Sequence, residues 1–392
     1  MAILRGRQLF MNPGPTNIPD RVLRAMDRPA VDFQSAEFKA LADGCLERLK
    51  RVFRTEQALL AYAGSGHGAW EAALVNLFSP GDRVVILEAG YFSLNWGRYA
   101  AALGLEVEVV PFDWRAGPDP EPLEAALRAD RGHAIKAVLA VHNETSTGVA
   151  APIPELRRAI DRAGHPALLL VDVISSLACF DFRMDEWGVD VVIAGSQKGL
   201  MLPTGMAFTA VSERALEVAQ DARMPRVYWD WRRLLTGLRQ TSFPGTTPVH
   251  FFYGLAEALA MIEEEGLEAL FQRHGRLAAA TRAAVRHWGG NGTGPELFAT
   301  DPRTLSDSIT AVQLPAGHDA DAVRRIAAER FNLSLGGGLD RLAGRVFRIG
   351  HMGDLNEPMV LGALATVELA LGIAGVPHAP GGVQAALASL AE

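Results

Sequence analysis

Val191-Val192-Ile193-Ala194-Gly195-Ser196-Gln197-Lys198-Gly199-Leu200 decides how the chain is read. An apolar run ends, and a lysine follows within a few residues. An ammonium at the end of a buried strand is costly to desolvate unless it is paired or chemically used. A lysine whose proton affinity is lowered this way can form a Schiff base with a carbonyl. The alternative is a surface lysine in a strand-to-loop turn, and the rest of the chain decides between the two.

Working outward, similar apolar runs recur at Arg83–Leu87, Val107–Pro111, Ala137–Val141, Ala167–Asp172, Asp190–Ala194 and Met206–Val211. Helical patterns over Ala69–Phe78, Glu121–Arg128 and Pro154–Ala163 alternate with most of them. Alternating strands and helices predict an α/β domain with a mostly parallel sheet. Continuous rather than alternating apolar runs fit strands buried on both faces. Before this region, Pro13, Pro15 and Pro19 make residues 1–20 an extended arm, and Arg21–Arg54 reads as helical with a break near Pro29. After about residue 212 the rhythm changes. An irregular stretch, Phe243-Pro244-Gly245-Thr246-Thr247-Pro248, precedes a long helical region from about Phe251 to Trp288, and Gly289 to Pro295 is a glycine-rich break. Shorter strands at Ser308–Gln313 and Val346–Ile349, with helices at Asp319–Arg330 and Pro358–Leu371, predict a smaller C-terminal α+β domain. The expected division is an arm over 1–20, a large domain over 21–265 and a small domain over 266–392, with some N-terminal contribution to the last.

Composition narrows the class. Of 392 residues, 49% are apolar and 21% charged, enough for a sizeable core. Net charge is −7 without a basic run, which argues against nucleic acid as a partner. Cys45 and Cys179 lie far apart, so neither a disulfide framework nor a cysteine-rich zinc site fits, no metal is expected, and a reducing cytoplasm is the natural home. The first ten residues lack a continuous apolar stretch of the secretory kind. Pro358–Val376 carries a single charge, Glu368, but its glycines and its lack of basic or aromatic flanks favour a helix packed on a sheet over a membrane span.

Two further stretches carry chemistry. Gly64-Ser65-Gly66-His67-Gly68-Ala69 precedes a helix expected to start near Ala69. A glycine-rich turn at a helix start offers N–H groups and the positive end of the helix dipole, a cradle for phosphate. The same residues imitate a dinucleotide fingerprint, with Glu88 22 residues after Gly66, and a plain tight turn is a third possibility. Asp172 ends the run Ala167–Val171 at what should be the carboxyl edge of a buried strand, where open α/β sheets bind ligands. Alone it could be an Asx turn or a helix cap. Asp172 and Lys198 close successive strands 26 residues apart, so both should face one crevice. A phosphate cradle, a carboxylate for a ring nitrogen and a Schiff-base lysine together describe pyridoxal phosphate.

The chain resembles the fold-type I, class V aminotransferases, in the branch that holds the alanine–glyoxylate and serine–glyoxylate enzymes. The likeness runs nearly end to end. It is carried by Pro13–Pro19, Ser65-Gly66-His67, His142–Gly148, Val171-Asp172, Gly195–Pro203 and Phe347–His351. It implies a ping-pong transaminase that moves an amino group from a small L-amino acid, such as serine or alanine, to glyoxylate or another small 2-oxo acid. A different donor (aspartate or ureidoglycine) and a lyase are the alternatives. The resemblance makes Lys198 the cofactor lysine and proton carrier, and Asp172 the partner of the ring nitrogen. Ile174 falls beneath the ring, Phe92 stacks on it, and Thr145 sits near the phenolic oxygen. Ser65, Gly66, His67 and Gln197 form the phosphate shell, completed by Thr246 of a second subunit in a homodimer with shared sites. Arg348 clamps the substrate carboxylate, a bidentate task that suits guanidinium, with Asn17 also at the substrate, while His351 reads as structural. The pattern departs at Phe243, Gly245, Val173 and Asp32-Phe33-Gln34-Ser35, so Gln34 and Gly245 are expected to reshape the donor pocket. A desulfurase is disfavoured because neither cysteine falls on a mobile loop. A nicotinamide enzyme leaves Lys198, Asp172 and Arg348 unexplained, and a non-catalytic pyridoxal phosphate carrier does not need them.

Overall fold

Seven strands form the central sheet of the computed structural model, which describes residues 6–236, 243–290 and 292–392. In chain order they are β1 (Ala58–Gly64), β2 (Arg83–Glu88), β3 (Glu106–Pro111), β4 (Ile135–Val141), β5 (Leu168–Asp172), β6 (Val191–Gly195) and β7 (Gly205–Val211). Their spatial order is β1-β7-β6-β5-β4-β2-β3, and only β7 runs antiparallel to its neighbours. Every residue of β5 and β6 is buried, the outcome that continuous apolar runs predict when helices cover both faces. One face packs against the helix Ala36–Phe53 and the helix Val249–Glu265; the other packs against Gly66–Leu77 and Tyr91–Ala102.

Register then fixes the site. Val141 of β4 pairs with Asp172 of β5, and Asp172 pairs with Ile193 of β6. β4 and β5 therefore end level and β6 two residues further on, and the loops carrying Asn143, Thr145, Gln197 and Lys198 leave from one edge.

A second sheet has the order Leu9–Met11, Leu333–Gly337, Val346–Gly350, Ile309–Gln313, Glu296–Leu297. Leu9–Met11 joins it as a parallel edge strand, so the arm belongs to this sheet and not to free chain. Helices Leu267–Gly289, Ala320–Phe331 and Glu357–Ile373 cover one face over a separate apolar core. Phe347 and Ile349 point into that core, so the alternation of a strand turns Arg348 to the opposite face. Among the described residues, no helix is long and apolar enough to cross a membrane.

The structure revises several expectations. β1 escapes the sequence pattern because Ala58, Ala61 and Ala63 replace the β-branched residues that advertise a strand. The helix Tyr91–Ala102 hides behind aromatic residues and Gly97. The helix expected near Ala69 begins at Gly66, one turn earlier. The long helical region is two helices, parted at Gly266, whose φ of 81° suits glycine. Residues 1–5 of the arm, residues 237–242 just before the irregular stretch and Asn291 of the glycine break lie outside the described residues.

Candidate active site

A cavity of about 200 Å³ opens where β4, β5 and β6 end. Val141, Asn143 and Thr145 line it from the β4 side, Asp172 and Ile174 from β5, and Gln197 and Lys198 from β6. Gly66, His67, Trp70 and Phe92 close it from the helices, and Gly14 and Pro15 from the arm. A larger hollow between Ser79, Lys136 and Asp221 lies at the opposite, amino-terminal ends of the strands and assembles no comparable set of groups.

Lys198 is 7% exposed. Of the four lysines in the sequence it is the buried one; Lys39 and Lys50 are half-buried and Lys136 is exposed. Burial, reinforced by the Arg348 cation, brings its amine down to about 7. Its Nζ donates to the Pro13 carbonyl. Gly14 follows, and a Cβ there would occupy the place of the lysine side chain, so the arm can cross the amine only with glycine at this point. Asp172 shows the mirror effect. Burial pushes its carboxyl up to about 7, against two N–H donors that favour the charged form. Ile174 N–H donates to Oδ1 at 2.7 Å and the Trp70 indole donates to Oδ2 at 2.8 Å.

The Gly66–Leu77 helix points its first turn at the cavity. Gly68 and Ala69 bond back to the Ser65 carbonyl, which leaves the N–H groups of Gly66 and His67 free of helix partners. Ser65 is the N-cap residue, yet its hydroxyl makes no capping bond. Gly66 is pressed against Ile174, and any side chain there would strike it. His67 is half-buried, with its ring 4.6 Å from Trp70 and 6.3 Å from Phe92. Burial, then the nearby Lys198, lowers its proton affinity, so the ring is neutral near pH 7. Among the described residues, six buried side-chain atoms have no hydrogen-bond partner, and two of them, the Gln197 Oε1 and the Asn143 Oδ1, belong to residues of the cavity lining. Unpaired acceptors there suit a ligand that donates to them.

The loop after β4 ties the two sheets together. Thr145 Oγ1 donates to Ser175 Oγ at 2.8 Å, and the Thr145 carbonyl accepts from Arg348 Nη1 at 2.8 Å. Arg348 Nε donates to the Gly337 carbonyl at 2.8 Å. Among the described residues, Nε and Nη1 make its hydrogen bonds and Nη2 makes none, and burial lowers the guanidinium to about 10, still charged at neutral pH. Glu144 is fully buried at the start of the Tyr91–Ala102 helix. It accepts from Phe92 N, Ser93 N, Ser146 N and Ser146 Oγ, which fixes the helix that carries Phe92.

Not every residue expected at the site reaches the cavity wall. Asn17 donates to the Phe10 carbonyl at 2.9 Å and so ties the arm together; Thr16 N, beside it, bonds Gln197 O. Thr246 and its neighbour Gly245 are exposed on this chain, as is Gln34. His351 is fully buried between Thr310 and the Asp307 carbonyl, with a proton affinity driven down to about 3, which fits a structural part. Cys179 is buried, and its thiol is pushed up to about 12 by desolvation. Trp70, Glu144 and Asn143 were not singled out from sequence. A tryptophan one turn into a glycine-started helix, with an N–H that needs a partner, was the available signal for Trp70.

A family profile now matches this geometry. The profile described as "Aminotransferase class-V" covers residues 8–339. The chain belongs to the class-V aminotransferases. A serine–glyoxylate aminotransferase of Methylorubrum extorquens is 48% identical to this aminotransferase, over 99% of this chain and 97% of its own length. An L-aspartate–glyoxylate aminotransferase of Paracoccus denitrificans is 44% identical, over 93% and 91%. The solved ureidoglycine–glyoxylate aminotransferase of Bacillus subtilis superposes with a TM-score of 0.89 at 28% identity, with each chain wholly covered. The fold is the fold-type I arrangement, and the cofactor of this aminotransferase is pyridoxal phosphate. The cavity suits that group: free N–H donors at a helix start for the phosphate, the Gln197 side chain in the same lining, a buried carboxylate and a buried amine.

Proposed function

We propose that this aminotransferase transfers the amino group of a small L-amino acid to glyoxylate or a related small 2-oxo acid. One observation carries the assignment of roles: a buried lysine amine near pKa 7 shares one cavity with a buried, N–H-bonded carboxylate. The relatives named for serine, aspartate and ureidoglycine share glyoxylate as acceptor, which supports the acceptor more strongly than any one donor.

Pyridoxal phosphate, when bound, supplies the aldehyde that takes up the amino group and a ring that accepts electrons from the broken Cα–H bond. Lys198 would hold it through Nζ and, once freed by the donor amine, take the donor's α-proton and pass it on. Asp172 keeps the ring nitrogen protonated. Ser65, Gly66, His67 and Gln197 hold the phosphate. Phe92 and Ile174, which line the cavity, would hold the ring between them, and Thr145 would serve its phenolic oxygen. Arg348 offers Nη2 to the substrate carboxylate, with Asn17 shaping the arm around it. Donor and acceptor use one site in turn, which gives ping-pong kinetics.

The exposure of Gln34, Gly245 and Thr246 supports a homodimer in which these residues serve the partner's cavity. Exposed Leu23, Val31 and Tyr228 are apolar surface of the kind an interface covers. Two separate apolar cores support a division near residue 265, with the arm serving the second sheet. Two buried free cysteines suit the cytoplasm. A donor panel tests the proposal. The visible cofactor band of the holoenzyme should bleach with the true donor and recover on adding glyoxylate. If no donor bleaches it, or glyoxylate fails to restore it, transamination to glyoxylate is wrong. A wide preference for serine or alanine would sink the idea that Gln34 and Gly245 redirect the donor.

A further inference from the structure

The Gly66–Leu77 helix meets the cavity twice. Its first turn offers the N–H groups of Gly66 and His67, and its next turn delivers the Trp70 indole to Asp172. Trp70 and Asp172 are both buried, and the bond between them is 2.8 Å long. The indole is held in place by a stack on Trp96, with ring centroids 5.7 Å apart and planes at 14°. Packing alone does not account for the bond. Trp96, equally buried in the same stack, leaves its own N–H without a partner. Gly66 meanwhile presses on Ile174, whose N–H holds the other carboxylate oxygen. One rigid helix thus sets the spacing between the phosphate cradle and the carboxylate.

We propose that Trp70 is a positioning residue: its indole N–H holds the Asp172 carboxylate ionised and aimed at the cofactor's ring nitrogen. The proposal rests on Asp172 being the ring partner. A donor to a carboxylate favours its charged form, whereas burial favours the neutral one. Glu144 from the loop after β4 and Lys198 from the loop after β6 also act on Asp172 with opposite signs. His67 lines the same cavity and is neutral near pH 7. The two N–H donors, Trp70 and Ile174, are what offset the burial cost directly. Losing one raises the proton affinity of Asp172, so the active form disappears at a higher pH.

The test compares Trp70→Phe with Trp96→Phe in the full-chain holoenzyme. Phenylalanine keeps an aromatic ring in the stack and removes the donor together with part of the ring volume, and Trp96→Phe controls for the lost volume. A hydrogen bond to a charged group corresponds to about a tenfold effect or somewhat more. In Trp70→Phe, the dissociation constant of pyridoxal phosphate should rise about tenfold and kcat should fall similarly, with the donor KM little changed. The acid limb of the kcat profile should move up by about one pH unit. Trp96→Phe should match the wild type on all of these. Unchanged cofactor affinity and an unmoved acid limb in Trp70→Phe overturn the proposal. Asp172→Asn separates this result from the reading beneath it. If that variant keeps its cofactor affinity and activity, the assignment of Asp172 fails; if it loses them while Trp70→Phe does not, Trp70 alone is misassigned. Should Trp70→Phe not fold, the wild-type holoenzyme with 15N-labelled tryptophan gives the same answer. One indole N–H resonance should lie downfield and be lost from that position in Asp172→Asn; no such resonance overturns the proposal.

Discussion

Replacing Arg348 with lysine tests the substrate clamp without changing its charge. Arg348 spends Nε on the Gly337 carbonyl and Nη1 on the Thr145 carbonyl, both at 2.8 Å, and keeps Nη2 open. A lysine has one nitrogen. It cannot reach two carbonyls on different elements and a substrate carboxylate as well. At least one bond from a cationic donor is lost, about 1.5–3 kcal/mol. That is a loss of roughly ten- to a hundredfold in kcat/KM. Because the positive charge remains, the part of the Lys198 depression due to Arg348 should persist. The loss should therefore appear mainly as a raised KM for the amino donor, with cofactor affinity unchanged. Steady-state kinetics with donor varied, together with cofactor titration of the apoenzyme, read both quantities. A lysine variant with KM and kcat/KM within threefold of wild type would show that Arg348 only braces the two carbonyls.

Three other outcomes are expected. The Lys198 amine falls from 10.5 in the unfolded chain to about 7 when folded, so the unfolded chain holds more protons between those values. Apoenzyme stability should then rise with pH across that window. Lys198→Met should raise the apoenzyme melting temperature most at pH 7 and below, with the gain closing toward pH 10.5; a pH-independent difference would contradict it. Cys179→Ala should retain transamination within about twofold, because a thiol held near 12 is no nucleophile; a large loss in the amino-transfer assay would revive a sulfur mechanism. Glu144→Gln puts an amide N–H₂ or a single acceptor where four donors converge, and should cost about 2–3 kcal/mol in denaturant unfolding.

Runs of Val, Ile and Leu announce β2, β4, β5 and β6, and β3 and β7 read as strands on weaker apolar patterns, so the edge where Asp172 and Lys198 meet is legible in sequence. β1 was not, because its alanines fit a strand only through pairing with β7, a contact 140 and more residues away. The first turn of the Gly66 helix was misplaced for a related reason: glycine has poor helix propensity, and the pressed contact with Ile174 that favours it is tertiary. Arg348 stands out through the family resemblance, and its apolar neighbours Phe347 and Ile349 weigh against a surface ion pair. Trp70 and Glu144 were missed because each acts on a partner from another strand-end loop, and no local spacing records such a pairing. Gln34, Gly245 and Thr246 are exposed on this chain, which suits the proposed homodimer.

Hydride trapping of the holoenzyme tests the core of the account most directly. Borohydride fixes the bond between lysine and cofactor, and peptide mass spectrometry then locates the label among only four lysines, Lys39, Lys50, Lys136 and Lys198. A single pyridoxyl phosphate adduct on Lys198 is the predicted result. An adduct on one of the other three, or none at all in a yellow and active preparation, would contradict it.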